Sequence, residues 1–258
     1  MPKLQSNRTQ DPEYDVTKAS QTYSNIAAVL AGFALAAVIL ISQNQDVPQG
    51  ADATYVAALR DRATIAFLVA LFGCIASAFT FGVVTGEATS GTGTHATALF
   101  GGAGFALSTA FVFWGLAYLT KIYLSESIVQ LTRWLFFGTI CIIPLYLIFY
   151  LIDAIRLSEK IPFSGGLFLR LAWPNYVPII PAIIISAIRI PALANLWQSA
   201  FIPVAVASFF IILISAGGAL FISERPVNSP LSATFIGGCK VWVLVQSVIL
   251  AMLALLTR

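Results

Sequence analysis

Lys240 is the strongest candidate for a functional residue in this 258-residue chain, because it lies in an apolar segment. An ammonium group in apolar surroundings is costly unless it reaches water or a partner. If its helix begins near Ser229, the lysine lies about mid-span. If the helix begins near Gly237, as Pro230 and the pair Gly237 and Gly238 favour, the ammonium can snorkel to the interface. The alternatives are a buried cation facing a pore or an anionic substrate, or a lysine that forms a Schiff base with a carbonyl ligand.

Three further charges stand beside apolar segments. Asp153 and Arg156 are one helical turn apart, which predicts either a salt bridge at the headgroups or a gating or proton-relay pair above a kink at Pro144. Arg189 lies in a proline-dense region. It either marks the end of a short helix or, if that segment re-enters the membrane, lines an aqueous vestibule and selects anions.

The single histidine, His95, follows a Gly- and Thr-rich stretch, and we expect a flexible loop there, between the second and third helices. One histidine cannot hold a metal without carboxylates or thiols at matched spacing. The stretch also lacks the lysine and the strand–helix context of a phosphate-binding loop. Since no acid–base or nucleophilic set can be assembled, we predict no catalytic, cofactor-binding or metal-binding residues. The sequence favours a non-enzymatic protein.

The composition identifies the kind of element that must position these residues. Hydrophobic residues make up 59% of the chain and charged residues only 10%, against about 25% charged in an average soluble domain. The mean hydropathy is +0.88. The 14 lysines and arginines are scattered, with no run that would follow a phosphate backbone, which argues against a nucleic-acid partner. We therefore predict an integral membrane protein with the lipid bilayer as its first partner.

Apolar segments of bilayer length predict an all-α, polytopic bundle of about seven transmembrane helices. The fifth segment is ambiguous, because the region from 173 to 203 contains five prolines. A short kinked span gives seven helices, and a re-entrant pair gives six. We predict a polar tail over residues 1–21, followed by a single transmembrane domain over 22–258. The other six segments are expected at about 23–41, 63–85 (continuing a polar helical lead-in that starts near Asp52), 96–120, 134–152, 199–222 and 235–256.

Small residues at four-residue spacing form a stripe on each of the first three helices, and such stripes let helices approach closely in lipid. They predict a tight three-helix core or, alternatively, contact with a second copy of the chain. Trp114, Tyr118, Trp134 and Trp173 are expected as anchors at the membrane interfaces. The stripes comprise Ala66, Ala70, Cys74, Ala78, Gly82 and Gly86 on the second helix, Ala28, Gly32 and Ala36 on the first, and Gly102, Ala106 and Ala110 on the third.

Two functions remain after these exclusions. The first is a non-enzymatic bundle that forms or regulates a permeation path lined by Arg189 and Lys240, as in a channel or transporter. The second is a structural or accessory subunit of a larger membrane complex, which docks on itself or on other membrane subunits through its small-residue faces. We expect a cytoplasmic-type membrane with the N-terminus inside, because the basic residues of the tail and of the stretch from Arg156 to Arg170 favour that side.

Overall fold

The described chain consists of seven α-helices. The computed structural model describes residues 16–44, 46–86, 92–188, 194–223 and 231–256, and these contain no strand. All seven helices are long and apolar enough to cross a bilayer, so the protein is an integral, multi-pass membrane protein. The helices are α1 (Val16–Gln43), α2 (Ala53–Gly86), α3 (Thr92–Tyr123), α4 (Glu126–Glu159), α5 (Gly165–Ile188), α6 (Ala194–Ser223) and α7 (Ala233–Leu255).

The proline-rich fifth segment forms one continuous helix of 24 residues, which confirms the seven-helix prediction over the re-entrant one. Pro174, Pro178 and Pro181 all lie inside α5. Their spacing of four and three residues places them on one face, so the missing N–H groups interrupt the hydrogen-bond ladder on that side only. The ladder on the opposite side remains continuous.

Short connections make the helices alternate in direction. The ends where α1, α3, α5 and α7 begin therefore share one side of the membrane, which we call the N-side. The α4 helix is much longer than its predicted span, whereas α2 begins at Ala53, as the predicted helical lead-in near Asp52 requires. Both have 34 residues, or about 51 Å against a hydrocarbon thickness of about 30 Å. Their ends project into the headgroup layers.

The α3 helix is the central element of the bundle. It packs against α1, α2, α4, α6 and α7, whereas α5 packs on α4 and α7 at the edge. Trp114 and Tyr118 lie within α3 and are fully buried among the rings of Phe111 and Phe201. The prediction that these two residues anchor the interface is therefore wrong, while Trp134 and Trp173 are exposed, as anchors must be.

Two Gly–Ser pairs hold the crossing of α2 over α3. A Cβ added at Gly73 would lie 1.9 Å from Ser108 Oγ, and one added at Gly104 would lie 3.2 Å from Ser77 Oγ. Ser77 and Ser108 donate to the carbonyls of Gly73 and Gly104, four residues back, at 2.7 Å. Each hydroxyl is thus satisfied within its own helix, and the helices approach closely because the opposite position has no side chain.

Candidate functional site

Lys240 lies in the third turn of α7 and is exposed. The helix begins at Ala233, between the two predicted starts, so the lysine is about 10 Å beyond its first residue. Its neighbour Val241 is 61% exposed, which shows that this part of α7 faces outward. Among the described residues Lys240 forms no ion pair. This placement favours an ammonium that reaches the headgroups over one that lines the bundle interior.

Asp153 and Arg156 form an ion pair near the end of α4, with 3.5 Å between Oδ1 and Nη1. Both side chains are half-exposed, and the guanidinium also stands 5.9 Å from the ring centroid of Phe163. At 1.5 Å per residue, Asp153 is about 9 Å and Arg156 about 4.5 Å from the last residue of α4, which corresponds to the headgroup level on the N-side.

The structure does not bring Lys240 to this pair. Ser158 Oγ accepts a hydrogen bond from Leu231 N at 3.0 Å, so these two residues lie at one level. Because α4 and α7 run in opposite directions, Lys240 is level with about residue 149, roughly 6 Å deeper than Asp153. The two charged positions are separate features of the N-side.

The other two predicted positions differ in outcome. Arg189 lies outside the described residues, so its role as a vestibule residue stays a prediction. His95 does not lie in a loop: it belongs to the first turns of α3, and its side chain is buried. The described residues include no group of three His, Cys, Asp or Glu side chains that could hold a metal ion.

Two buried arginines were not predicted as sites. Arg133 lies inside α4, and its Nη2 donates to Ser186 O at 2.6 Å and to Ser186 Oγ at 3.1 Å. It thereby satisfies a carbonyl in the last turn of α5, where the helix dipole favours a cation. Arg60 donates to Asp46 O and to Tyr123 Oη, so it ties the α1–α2 connection to the end of α3.

A buried polar contact joins α5 to α7. Asn175 Nδ2 donates to Leu171 O at 2.7 Å, and its Oδ1 accepts from Ser247 Oγ at 3.1 Å. Beside it, Gln246 is buried, and its Nε2 has no hydrogen-bond partner among the described residues. These groups stabilise the pairing of the two helices, and they form no reactive constellation.

The predicted small-residue stripes fall in different environments. Gly102, Ala106 and Ala110 of α3 are buried. Along α2, burial decreases from Ala66, Ala70 and Cys74, which are buried, through Ala78 to Gly82 and Gly86, which are exposed. On α1 the predicted stripe of Ala28, Gly32 and Ala36 is exposed, because α1 packs through a neighbouring face. That packing face consists of Ala27, Ala31, Ala34 and Ala37.

Ala28 of the α1 stripe and Ala78 and Gly82 of the α2 stripe border a groove between the two helices, which we call the α1–α2 groove. It has a volume of about 660 Å³, and its walls include Ala28, Ala78 and Gly82. Ser24 Oγ donates to Ala78 O at 3.0 Å and fixes one helix against the other. Apart from chain neighbours and the backbone of its own helix, no described atom lies within 4 Å of a Cβ added at Gly82, so the space in front of this glycine is open. The space in front of Gly32, which lies outside the groove lining, is open as well.

Comparison of the chain with protein-family models, with curated proteins and with solved structures finds no match.

Proposed function

We propose that the protein is a non-enzymatic structural subunit that assembles in the membrane through the α1–α2 groove, with a second copy of the chain as its partner. The observation that carries the proposal is the α1–α2 groove, where the space in front of Gly82 is open and Ala28 and Ala78 line the walls. A glycine inside a helix destabilises it by about 1 kcal/mol relative to alanine. Gly82 allows no close approach within the described chain, so the gain it offers in this groove is to a helix from outside.

The groove also carries an apolar projection that would fill the groove of a second copy. Phe79 lines the groove and is 74% exposed, the highest exposed fraction among the large apolar side chains of the described residues. Val29, at 72%, is exposed on α1 outside the groove lining. A surface with both a groove and projections can pair with itself about a two-fold axis, each copy inserting its projections into the other.

The physics of helix association in lipid supports this partner. Apolar side chains gain little by leaving lipid for another apolar surface, so association depends on close packing of backbones. Ala28 of the α1 series and Ala78 and Gly82 of the α2 series line the groove with small residues, so a partner helix can approach closely there.

The permeation hypothesis has less support from the described residues. Of its two proposed lining residues, Lys240 lies on an outward-facing part of α7 and Arg189 lies outside the described chain. It stays a prediction, and ion flux in liposomes tests it directly. Flux that is present in wild type and lost in Lys240→Ala or Arg189→Ala would favour a path over a structural role.

The test of the proposed assembly is the association constant in lipid vesicles, measured by energy transfer between labelled copies over a range of protein-to-lipid ratios. We expect wild type to dimerise and Gly82→Leu to weaken dimerisation at least tenfold, about 1.4 kcal/mol. The leucine fits the monomer, since nothing lies within 4 Å of its Cβ, but it fills the groove.

Gly217→Leu is the matched control, because Gly217 is another exposed glycine inside a helix, α6, with open space in front of it. It should associate like wild type. A wild-type chain that stays monomeric at every ratio, or a Gly82→Leu variant that associates as strongly as Gly217→Leu, would refute the proposal.

A further inference from the structure

A second groove lies on another side of the bundle, between α1, α3 and α4, and we call it the α3 groove. It has a volume of about 260 Å³, with Ala106 on its floor and Tyr23 and Tyr146 at one end. It forms because α1 and α4 both pack on α3, while their backbones make no contact with each other in the described part of the chain.

The rings at its end are held in place by α3. Tyr146 meets Tyr23 edge to face at 5.3 Å between centroids, and it meets Tyr150 at 4.8 Å. A Cβ added at Gly102 would lie 2.9 Å from Tyr146 Cε1, so the ring rests on the α3 backbone only because Gly102 has no side chain. One residue of the predicted α3 stripe thus shapes the end of the groove, and Ala106 shapes its floor.

The walls of the α3 groove accept an apolar occupant. Its two threonines are already satisfied: Thr109 Oγ1 donates to Phe105 O and Thr139 Oγ1 to Leu135 O, each at 2.9 Å. The hydroxyls therefore have no need of a polar ligand. An apolar cavity of roughly 150 Å³ holds a benzene molecule, so a space of about 260 Å³ is large enough for a segment of a hydrocarbon chain.

A charge pair lies beyond the end of the α3 groove, on the same face of α4. Ile142, Tyr146, Tyr150 and Asp153 follow one another at spacings of four and three residues, so they lie on one face of α4. From Ile142 to Asp153 the helix rises about 16 Å toward the N-side surface. Asp153 and its partner Arg156, both half-exposed, then offer one negative and one positive group at the headgroup level.

We propose that the α3 groove binds one acyl chain of a zwitterionic phospholipid whose headgroup engages the Asp153–Arg156 pair. A primary ammonium headgroup meets Asp153 and the phosphate meets Arg156, which matches the two charges in sign. The tyrosine rings lie between the two regions, where amphipathic rings are favoured. This site is separate from the α1–α2 groove, so either proposal can fail without the other.

The first test counts bound lipids by native mass spectrometry after the protein is released from nanodiscs of equal phosphatidylethanolamine and phosphatidylglycerol. We expect wild type to retain phosphatidylethanolamine in at least fivefold excess. Ala106→Leu should lower total retention about fivefold by filling the floor, and Asp153→Asn should bring the two lipids to near-equal retention. Glu159→Gln is the charge control, because Glu159 is an exposed carboxylate further along α4, and this variant should retain lipids as wild type does.

A second measurement covers the case in which Ala106→Leu fails to fold. A fluorophore on Thr139→Cys, in a chain whose native cysteines are replaced, is quenched by lipids with brominated acyl chains. The proposal expects at least threefold stronger quenching by brominated phosphatidylethanolamine than by brominated phosphatidylglycerol. Equal quenching, equal retention of the two lipids by wild type, or cross-linking of Thr139→Cys between two copies would overturn the proposal, the last by showing that a second chain covers the groove.

Discussion

Replacement of Gly73 by alanine tests whether the crossing of α2 over α3 is what holds the bundle together. Helix propensity alone predicts that Gly73→Ala stabilises α2 by about 1 kcal/mol. The structure predicts the opposite sign, because the added Cβ would lie 1.9 Å from Ser108 Oγ and 2.9 Å from Ile212 Cδ1.

The magnitude follows from the groups that must move. Excess volume in a packed interior costs about 1–3 kcal/mol. Ser108 Oγ must leave its position, and its 2.7 Å hydrogen bond to Gly104 O contributes about 0.5–1.5 kcal/mol. After the gain in propensity is subtracted, Gly73→Ala should lower the free energy of unfolding by about 1–3 kcal/mol, which at about 2–4 °C per kcal/mol lowers Tm by several degrees.

The assay uses the chain's own thiols. Cys74 and Cys239 are buried and free, so they react with a thiol-specific fluorophore when the bundle opens on heating. Gly138→Ala is the control, since a Cβ at Gly138 meets nothing within 4 Å, and its Tm should stay equal or rise. Adding Ser108→Gly to Gly73→Ala removes the clash with the serine, so the double variant should regain most of the Tm that Gly73→Ala loses. If Gly73→Ala melts at or above wild type, or if Ser108→Gly does not rescue it, the packing argument is wrong.

Two further predictions concern buried polar contacts. Arg133→Met removes the guanidinium that satisfies the last turn of α5, and because hydrogen bonds to charged groups contribute about 1.5–3 kcal/mol, Tm in the thiol assay should fall by several degrees. Ser186→Ala should cost less, since it leaves the bond to the carbonyl, and equal losses would contradict this assignment. Ser247→Ala should lower the free energy of unfolding by only about 0.6 kcal/mol, the average for hydrogen bonds between membrane helices. A loss above about 2 kcal/mol would show that the contact with Asn175 does more than pair α5 with α7.

Apolar length was enough to predict the fold class, and the limits of that signal explain the errors in helix bounds. The fourth helix was predicted from about residue 134 because Glu126 and Arg133 interrupt the apolar run. In the structure α4 begins at Glu126, and Arg133 is buried because Ser186 of α5 provides its partners. Hydropathy cannot identify such a residue as intramembrane, since its partner is 53 positions away in sequence.

The small-residue stripes show a different limit. Four-residue spacing identifies a face of small residues, but α1 is so rich in alanine that it has two such faces. Only the contact with α2 decides which of them packs: Ala27 and Ala31 are buried, while Ala28 and Gly32 are exposed. The Gly–Ser pairs did leave a signal in the sequence. Residues 73–77 and 104–108 both begin with glycine and end with serine, so the same pattern recurs on two consecutive helices.

The position of α3 bears on the choice between the two functions. In a bundle of seven helices, a path through a single chain would run along the centre, and there α3 is buried over most of its length. Its glycines also let neighbouring side chains approach the α3 backbone. A Cβ added at Gly101 would lie 2.6 Å from Thr80 Cγ2, and one added at Gly115 would lie 2.8 Å from the ring of Phe67. Opening a path there would require these contacts to separate. The α1–α2 groove and the α3 groove lie on the periphery of the bundle, where a neighbouring helix or lipid can enter without moving the core.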